Sequence, residues 1–350
     1  MSKPQVGVIT NPNSRKNRLN PGRYERMREV LGPLGLVRRT KDVSAIAEVV
    51  REFLDLGVPY MVADGGDGAF HWLMNVTDQV LRERGHGDSP GKWPAILPTN
   101  AGTIDFIGRK AEVVGHCDEL LPRLAEVLRS GEAPSVVELP TFRTVGVYGP
   151  DADLPGKRFE KIGFAGAMAG VAQRFFDKFY AHDRQDAVGI AYLVGKILAS
   201  QATRTVPLKW LPMPVDFRYF GESVFEPLPA AVWVDGERMP MDLFRDLEVG
   251  AIDINLANVF RFFPFAKSGA GLHVQCGNPG ALDIVRNLPR MTTGQPLEFK
   301  AFVQRQAHEV RIVPEPGYTV DPCIDGELYW GLVEVDIRMG PRIPVVQLRV

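Results

Sequence analysis

The sequence has few cysteines and no excess of charge of either sign. Its three cysteines, Cys117, Cys276 and Cys323, lie far apart, and no Cys-x-x-Cys pair occurs. This pattern argues against a disulfide framework and against metal binding by sulfur, and it favours a reducing, cytoplasmic location. The 41 basic and 42 acidic residues leave a formal net charge of −1, so the composition gives no electrostatic case for a nucleic-acid partner.

The sequence also lacks a signal-peptide pattern and an apolar run long enough to span a membrane. A strand pattern begins at Gln5, and the longest apolar stretch, Ala187–Ala199, is interrupted by Lys196. The 350 residues, 45% hydrophobic and 24% charged, indicate a globular protein long enough for two domains.

The most informative stretch is Tyr60–Thr77, in which a short apolar run ends at clustered glycines. Tyr60–Ala63 predicts a buried strand, Asp64–Gly68 has the sequence Asp-Gly-Gly-Asp-Gly, and a helical pattern begins at Ala69. Glycines let backbone amides approach a phosphate, and the start of a helix carries a partial positive charge. The loop has neither the lysine of a Walker A motif nor the spacing of a Rossmann fingerprint. A tight turn without a ligand would explain the glycines but not Asp67 between them.

Strands and helices alternate through the first 130 residues. The patterns predict strands over Gln5–Thr10, Leu36–Thr40, Tyr60–Ala63 and Trp93–Leu97, and helices over Tyr24–Leu31, Val43–Leu56 and Leu120–Leu128. Such alternation predicts a parallel sheet with right-handed crossovers, whose ligands bind beyond the carboxyl ends of the strands. Asn11, Thr40 and Asp67 all follow such ends, so three loops are expected to form one site.

From Val136 the pattern changes to strands separated by Gly/Pro turns. The expected strands are Arg143–Tyr148, Arg158–Phe164, Ala230–Val234, Leu247–Ile254, Leu272–Gln275, Leu297–Phe302 and Glu309–Val313, with one helical insertion over Ala167–Ala202. The predicted fold is therefore an α/β domain with a parallel sheet, residues 1–134, followed by an antiparallel β-rich domain, residues 135–328. The last strands, residues 329–350, are expected to return to the first domain.

An aromatic cluster within the helical insertion has two interpretations. It contains Phe175, Phe176, Phe179 and Tyr180, accompanied by Arg174 and Lys178. Apolar anchors flanked by cations suit an anionic membrane surface. Packing of this aromatic face against the β-rich domain is the favoured interpretation.

The Asp64–Gly68 loop resembles the GGDG signature of the diacylglycerol kinase catalytic domain superfamily, which also contains sphingosine, ceramide and NAD kinases. Two further segments carry the resemblance. Asn11-Pro12-Asn13-Ser14-Arg15 is similar to the family's Asn-Pro-x-Ser-Gly motif, with Arg15 in place of the glycine. Ala101–Phe106 keeps the Asp-Phe of the family's Gly-Thr-x-Asn-Asp-Phe segment without its asparagine, and is closer to the Ala-Gly-Ser-Thr-Asp form of ceramide kinases.

The resemblance implies an ATP site and a magnesium ion carried by the nucleotide. The residues that it implies in nucleotide binding are Asn11, Asn13, Ser14, Arg15, Thr40, Gly65, Gly66, Gly68, Gly102 and Thr103. It implies Asp67 as a catalytic carboxylate and as the protein contact of that magnesium ion. Asp105, in the same region, is equally suited to be the N-cap of the next helix.

A late Asp-Gly-Glu segment is the second stretch that bears carboxylates. Asp-Gly is a common hairpin signal, so the segment alone indicates a turn. It looks like the Asp-Gly-Glu motif of these lipid kinases, however, and the resemblance implies Asp325 and Glu327 as further catalytic carboxylates. The general base is expected to be Asp67 or Glu327. The earlier copy, Asp235–Glu237, is interpreted as a plain hairpin turn.

The implied function is transfer of the γ-phosphoryl group of ATP to a hydroxyl of a membrane lipid alcohol. The acceptor is a ceramide, a sphingoid base or diacylglycerol, with a slight preference for a sphingolipid from the Ala101–Asp105 segment. A soluble-substrate kinase of NAD kinase type and a non-catalytic nucleotide- or lipid-binding module are the alternatives. We expect a cytoplasmic protein in peripheral contact with the membrane, without a nucleic-acid partner; a homodimer is a further expectation.

Overall fold

The structure is a computed structural model that describes residues 3–12, 14–20, 22–87, 89, 91–102, 104–184, 187–204, 210, 212, 214–256 and 260–350. Two of the residues implied in nucleotide binding, Asn13 and Thr103, therefore lie outside the described residues. The chain divides into two units, one formed by residues 1–141 with 340–350 and the other by residues 142–339.

The first unit is an α/β unit built on a parallel sheet, as the alternating pattern predicted. Its strands are β1 (Val6–Thr10), β2 (Gly35–Arg39), β3 (Tyr60–Asp64) and β4 (Ala95–Pro98), and its helices are α1 (Arg15–Leu19), α2 (Arg23–Leu31), α3 (Val43–Asp55), α4 (Asp67–Glu83), α5 (Phe106–Lys110) and α6 (Cys117–Arg129). The strands follow the order β2-β1-β3-β4 and are all parallel. Near the C-terminus, Val345 pairs in parallel with Ile96 of β4.

The register of this sheet aligns the strand ends. Thr10 pairs with Arg39 on one side and with Asp64 on the other, so β1, β2 and β3 end at the same level. Every residue of β1 is buried, because helices cover both faces of a parallel sheet. Gly7 shows how closely α3 packs on it: a Cβ atom at Gly7 would lie 2.4 Å from the ring of Phe53.

The second unit consists mainly of antiparallel sheet, which confirms the predicted fold class. Its elements are β6 (Arg158–Gly163), β7 (Ala165–Gly170), α7 (Val171–Tyr180), α8 (Ala187–Thr203), α9 (Val215–Arg218), β8 (Leu228–Val234), β9 (Glu237–Arg238), β10 (Leu243–Phe244), β11 (Asp246–Gly250), β12 (Ile254–Leu256), β13 (Phe260–Phe262), β14 (Leu272–Gly277), α10 (Ala281–Thr293), β15 (Phe302–Ala307), β16 (Glu309–Pro314), β17 (Cys323–Ile324) and β18 (Glu327–Leu328). β5 (Ser135–Tyr148) and β19 (Leu332–Gln347) contribute residues to both units. One sheet of this unit has the order β15-β14-β11-β7-β17-β18.

The predicted start of the helical insertion is wrong. Residues 165–170 form strand β7, which pairs with β11 on one side and β17 on the other. The helix begins only at Val171, after Gly170 turns the chain with a φ of 86°. The alanines and glycines of this segment carry no periodic signal of their own, so their secondary structure depends on the neighbouring strands.

The predicted strand over Leu297–Phe302 is also wrong, because the strand β15 begins only at Phe302. The backbone amide of Leu297 donates to the side chain of Gln304, at 2.8 Å. The backbone amide of Glu298 donates to the side chain of Asn287, also at 2.8 Å. Side chains therefore take the bonds that a neighbouring strand would have made.

Three of the four aromatic residues of the insertion are packed, against α8, whereas Tyr180 is 40% exposed. Phe179 is buried with Leu193 and Ile197 of α8, and Phe175 and Phe176 pack against this group. No helix in the described ranges is both long and apolar enough to cross a bilayer.

Candidate functional site

The glycine-rich loop joins the end of β3 to the start of α4. Gly66 is the N-cap of α4, and Asp67 is its first helical residue. The helix thus begins two residues before the predicted start at Ala69, and Gly68 lies in its first turn. The start of a helix carries a partial positive charge, which favours an anion at this place.

Gly66 meets a second glycine, Gly102, in the loop after β4. A Cβ atom at Gly66 would lie 2.5 Å from the Cα atom of Gly102, and one at Gly102 would lie 2.9 Å from the Cα atom of Gly66. The φ of Gly66, −90°, is open to any residue, so the contact and not the dihedral angle requires glycine. The two loops therefore approach each other backbone to backbone.

A threonine ties the same two loops together. Thr99, at the end of β4, places its hydroxyl oxygen 3.1 Å from the amide nitrogen of Gly65. The same oxygen lies 3.1 Å from the carbonyl oxygens of Ala63 and Gly65. Thr99 is 2% exposed, so this bridge is protected from water.

Asp67 directs its carboxylate at the start of helix α5. Its two oxygens accept from the backbone amides of Phe106 at 3.2 Å and of Ile107 at 3.3 Å. A carboxylate at this place satisfies amides that the short helix leaves unpaired and complements its dipole. The residue implied as catalytic therefore also caps a helix that begins 39 residues later.

Asp105 holds the N-cap position of α5 without capping it. Its backbone is left-handed, with a φ of 50° and a ψ of 43°, and its side chain makes no capping bond. Instead its Oδ1 atom accepts from the amide of Gly102 at 2.8 Å. The N-cap interpretation is thus correct for the position of Asp105 and wrong for its side chain. The side chain that accepts from the first amides of α5 is that of Asp67.

The other residues implied in nucleotide binding lie at the ends of β1 and β2. Asn11 is exposed, and Ser14 is the N-cap of α1, with its hydroxyl accepting from the amide of Asn17 at 3.4 Å. Arg15 is the first residue of α1. The amide of Thr40 donates to the carbonyl of Thr10 at 3.0 Å, which places the end of β2 beside the end of β1.

A buried ion pair beneath these loops escaped the sequence analysis. Arg23 of α2 forms two hydrogen bonds with Asp64, the last residue of β3, at 2.5 and 2.6 Å. The two side chains are 6% and 2% exposed. The hydroxyl of Thr10 also donates to Asp64, at 2.5 Å. The only sequence signal was an acid at the end of an otherwise apolar strand, which requires a partner when buried.

Asn17 extends this network to the loop after β1. Its side-chain oxygen accepts from Arg23 at 3.0 Å. Its side-chain nitrogen donates to the carbonyl of Asn11 at 2.7 Å and to the hydroxyl of Thr10 at 2.8 Å. A chain of hydrogen bonds, buried at Asp64, partly buried between Arg23 and Asn17 and exposed at Asn11, therefore connects the loop after β1 to the loop after β3.

Asp325 and Glu327 lie in the second unit, on the hairpin that joins β17 to β18. Asp325 and Gly326 form the turn, with φ values of 51° and 90°. The Oδ1 atom of Asp325, a residue only 5% exposed, accepts from the amides of Phe164 at 2.8 Å and Ala165 at 2.9 Å. This carboxylate therefore fastens the hairpin to the neighbouring chain.

The earlier Asp-Gly-Glu copy has the same geometry, which confirms the hairpin interpretation. Asp235 and Gly236 have φ values of 51° and 77°. The Oδ1 atom of Asp235 accepts from the amides of His308 at 2.7 Å and Glu309 at 3.0 Å. The two turns differ in burial, since Asp235 is exposed. An identical local design thus serves a buried and an exposed hairpin.

The groups around the later hairpin are held in their neutral forms. Burial is the largest cause that raises the pKa of the Cys323 thiol; the charges of Asp325 and Glu327 raise it further, and the backbone bond with Gly326 opposes them. Burial and the charges of Glu327 and Asp325 raise the pKa of Tyr329. Neither side chain is therefore an ionised nucleophile at neutral pH.

The magnesium ion that the sequence resemblance implied is one that arrives with a nucleotide. No group of three or more His, Cys, Asp or Glu side chains in that part of the chain could hold a metal by itself. Magnesium in kinases is commonly bound by one or two carboxylates together with substrate phosphates. Asp67, in the first turn of α4, is the acid that the sequence implied in this role, and its two oxygens accept from the amides of Phe106 and Ile107.

Comparisons with known proteins give the fold. No family model and no curated protein matches the sequence. A crystal structure from Bacillus anthracis str. Sterne, of a protein provisionally named a diacylglycerol kinase, is similar over 98% of this chain and 97% of that chain, with a TM-score of 0.61 and 16% identity. Yeast NADH kinase complexed with NADH is similar over 99% of this chain and 84% of that chain, with a TM-score of 0.50 and 10% identity.

A second Bacillus anthracis structure, of a diacylglycerol kinase, has a TM-score of 0.56 and 13% identity over the same shares of the two chains. At such identities the likeness speaks for the fold. The resemblance predicted from the glycine-rich loop is confirmed at that level: this chain shares its fold with structures named as diacylglycerol kinases and with yeast NADH kinase.

Proposed function

We propose that the protein is an ATP-dependent lipid kinase, which transfers the γ-phosphoryl group to a hydroxyl of a membrane lipid alcohol. The observation that carries the proposal is the contact of Gly66 with Gly102 at the start of α4. This contact leaves bare backbone beside the start of a helix, at the carboxyl ends of parallel strands where nucleotides bind. The superfamily fold supports a kinase, while the choice of acceptor is our inference.

The chain's own residues supply positioning and electrostatics. The amides of Gly66 and Gly68 bind phosphate oxygens, and the loop after β1, with Asn11 and Ser14, contacts the rest of the nucleotide. In a loose transition state the acceptor hydroxyl loses its proton late, so a base mainly orients it. Asp67 is our candidate for that base, and Glu327 is the second candidate. Magnesium bound to the phosphates would neutralise their developing charge.

The proposed lipid acceptor is supported by an apolar surface on α8. The described residues of this helix that are exposed are all uncharged: Val188, Ala191, Tyr192, Val194, Gly195, Ala199 and Ala202. Val188 and Tyr192 are 55% and 54% exposed. An exposed apolar helix face of this kind can bind at a membrane surface. This stripe, rather than the packed aromatic cluster of α7, is our candidate for membrane contact.

Lysines beside α8 favour an anionic surface. The ammonium groups of Lys196 and Lys178 lie 3.8 and 4.9 Å from the ring centre of Phe220. Cations next to an apolar stripe strengthen binding to negatively charged lipids. The Val188→Asp/Tyr192→Asp variant should lose cosedimentation with anionic vesicles. Leu282→Asp, at a 61% exposed position of α10, is the control and should sediment like the wild type.

The deciding experiment is incubation of the purified protein with magnesium-ATP and a panel of acceptors, followed by mass spectrometry. The panel contains ceramide, sphingosine, diacylglycerol and NAD. We expect a phosphorylated lipid and no phosphorylated NAD. Phosphorylation of NAD alone would show a soluble-substrate kinase, and ATP binding without any product would show a binding module.

The Asp67→Asn variant tests the proposed base in the same assay. Removing a general base costs about 10²- to 10⁴-fold in kcat, so turnover should fall by that amount while ATP binding is largely kept. Asp105→Asn is the control, because it changes an acid of the same loops that bonds to Gly102. Its effect should appear in the KM for ATP. Wild-type turnover by Asp67→Asn would contradict the assignment.

A further inference from the structure

We propose that Arg23 is a positioning residue for ATP, which fixes the loop after β1 and the loop after β3 relative to each other. The inference rests on the proposed function, because it assigns a part in nucleotide binding to a side chain outside both loops. Arg23 belongs to α2 and is 5% exposed, so it acts through the residues that it contacts.

The contact with the loop after β3 is through Asp64. The guanidinium of Arg23 binds both carboxylate oxygens of Asp64, and the next residue along the chain is Gly65. A shift of the ion pair therefore moves the backbone that leads directly into the phosphate-binding amides. The paired, parallel bonds of such a fork restrict rotation as well as distance.

The contact with the loop after β1 is through Asn17. Arg23 donates to the side-chain oxygen of Asn17, whose side-chain nitrogen donates to the carbonyl of Asn11. Each of the two loops is thus separated from Arg23 by one side chain. The Nε atom of Arg23 adds a third arm to Asp118 of α6, at 2.7 Å. A lysine has no planar fork and cannot reproduce these three directions.

The charge of Arg23 has a second consequence for a nucleotide. Asp64 is a buried carboxylate one residue before the glycines, and by itself it would repel an incoming triphosphate. Arg23 neutralises it at 2.5 Å. The arrangement therefore lets an acid organise the strand end without opposing the phosphates.

Stability alone is a weak reason for such a pair. Replacing a buried ion pair by apolar residues of similar size is often neutral or stabilising, because the charges no longer have to be desolvated. A role in fixing the geometry of the loops accounts for charged residues at this place. The two roles make different predictions when the pair is replaced as a whole.

The experiment compares Arg23→Lys, Asp64→Asn and the double variant Arg23→Met/Asp64→Leu with the wild type. For each we would measure the dissociation constant of a fluorescent ATP analogue, the KM values for ATP and for the lipid, kcat, and the melting temperature. Misplacing groups by about 1 Å can cost about 100-fold, so we expect the KM for ATP to rise at least about tenfold, with the KM for the lipid unchanged. The double variant should keep this defect even where its melting temperature returns to the wild-type value.

Asp78→Asn is the matched control. Asp78 is also a buried acid paired with an arginine, since its side chain is 3% exposed and lies 2.9 Å from Arg82. It sits eleven residues beyond Asp67 on α4, about 17 Å along the helix axis. Its loss should lower the melting temperature without changing the KM for ATP.

Three results would overturn the inference. They are wild-type ATP binding by Arg23→Lys and Asp64→Asn, wild-type ATP binding by a stable double variant, and an equal loss of ATP affinity in Asp78→Asn. If the double variant does not fold, the comparison of Asp64→Asn with Asp78→Asn decides. A wild-type protein that neither binds nor consumes ATP would instead refute the proposed function, on which the inference depends.

Discussion

Replacing the two buried acids of β11 should make stability rise with pH. Asp246 and Glu248 are each 7% exposed and hydrogen-bond to each other. Burial raises the pKa of Asp246 from 3.8 to about 6, and burial with the charge of Asp246 raises the pKa of Glu248. On the neighbouring strand β14, burial lowers the pKa of His273 from 6.5 to about 4. The acids and the histidine therefore titrate abnormally over the same pH range.

The magnitudes follow from the difference in proton affinity between the folded and unfolded chains. The folded protein binds the proton of Asp246 more tightly, so this acid contributes stability below pH 3.8 that is lost as the pH rises through about 6. The shift is worth about 3 kcal/mol, because a tenfold change in affinity is worth about 1.4 kcal/mol. His273 acts in the opposite sense: its contribution is present above pH 6.5 and is lost, by about 3 kcal/mol, as the pH falls towards 4.

Because the two contributions oppose each other, the stability of the wild type should depend only weakly on pH in this range. Variants that remove only the acids or only the histidine should show a stronger dependence. As the pH rises from 4.5 to 7.5, the free energy of unfolding of the double variant Asp246→Asn/Glu248→Gln should increase by at least about 2 kcal/mol relative to that of the wild type. Over the same rise in pH, the free energy of unfolding of His273→Gln should decrease by a similar amount relative to that of the wild type. The assay is urea unfolding at constant ionic strength across this range. A constant difference between the acid double variant and the wild type would refute protonation of the pair in the folded protein.

Four further predictions concern single positions. Gly66→Ala should lower the free energy of unfolding by about 1–3 kcal/mol and weaken ATP binding, because the new Cβ atom would meet Gly102. Gly195→Ala should stabilise α8 by up to about 1 kcal/mol, because no atom lies within 4 Å of the new Cβ atom. Thermal melts compare the two variants. Asp325→Ala should lower the free energy of unfolding by about 1–3 kcal/mol, because it leaves buried amides without an acceptor. Asp235→Ala should lower it by clearly less, because water can replace the exposed hydrogen bonds of Asp235. Equal melting temperatures for the two aspartate variants would contradict the difference in burial.

The sequence determined the parallel sheet and the place of the site on it. Apolar runs that end in turn residues specify strands locally, and parallel strands place their carboxyl ends at one edge. The loops at Asn11, Thr40 and Gly65 could therefore be brought to the same edge without coordinates. The glycine-rich loop carried its own signal, because clustered glycines before a helix are rare without a backbone approach.

The sequence could not determine structure that depends on distant partners. Residues 165–170 are small and unpatterned, and they became a strand because β11 and β17 lie on either side. Leu297 and Glu298 have the sequence pattern of the start of a strand, but their backbone amides donate to the side chains of Gln304 and Asn287. Both errors have the same cause, since β pairing is a property of the neighbours as much as of the segment.

The same division holds within the site. The sequence alone specified the fold class, the glycine loop and the acids near it, because each of these follows from short-range patterns. Only the tertiary structure decided that Asp67 caps a helix 39 residues away and that Arg23 neutralises Asp64 across 41 residues. Hydrogen-bond partners of buried charges are chosen by packing in three dimensions, and the linear order of residues does not carry that information.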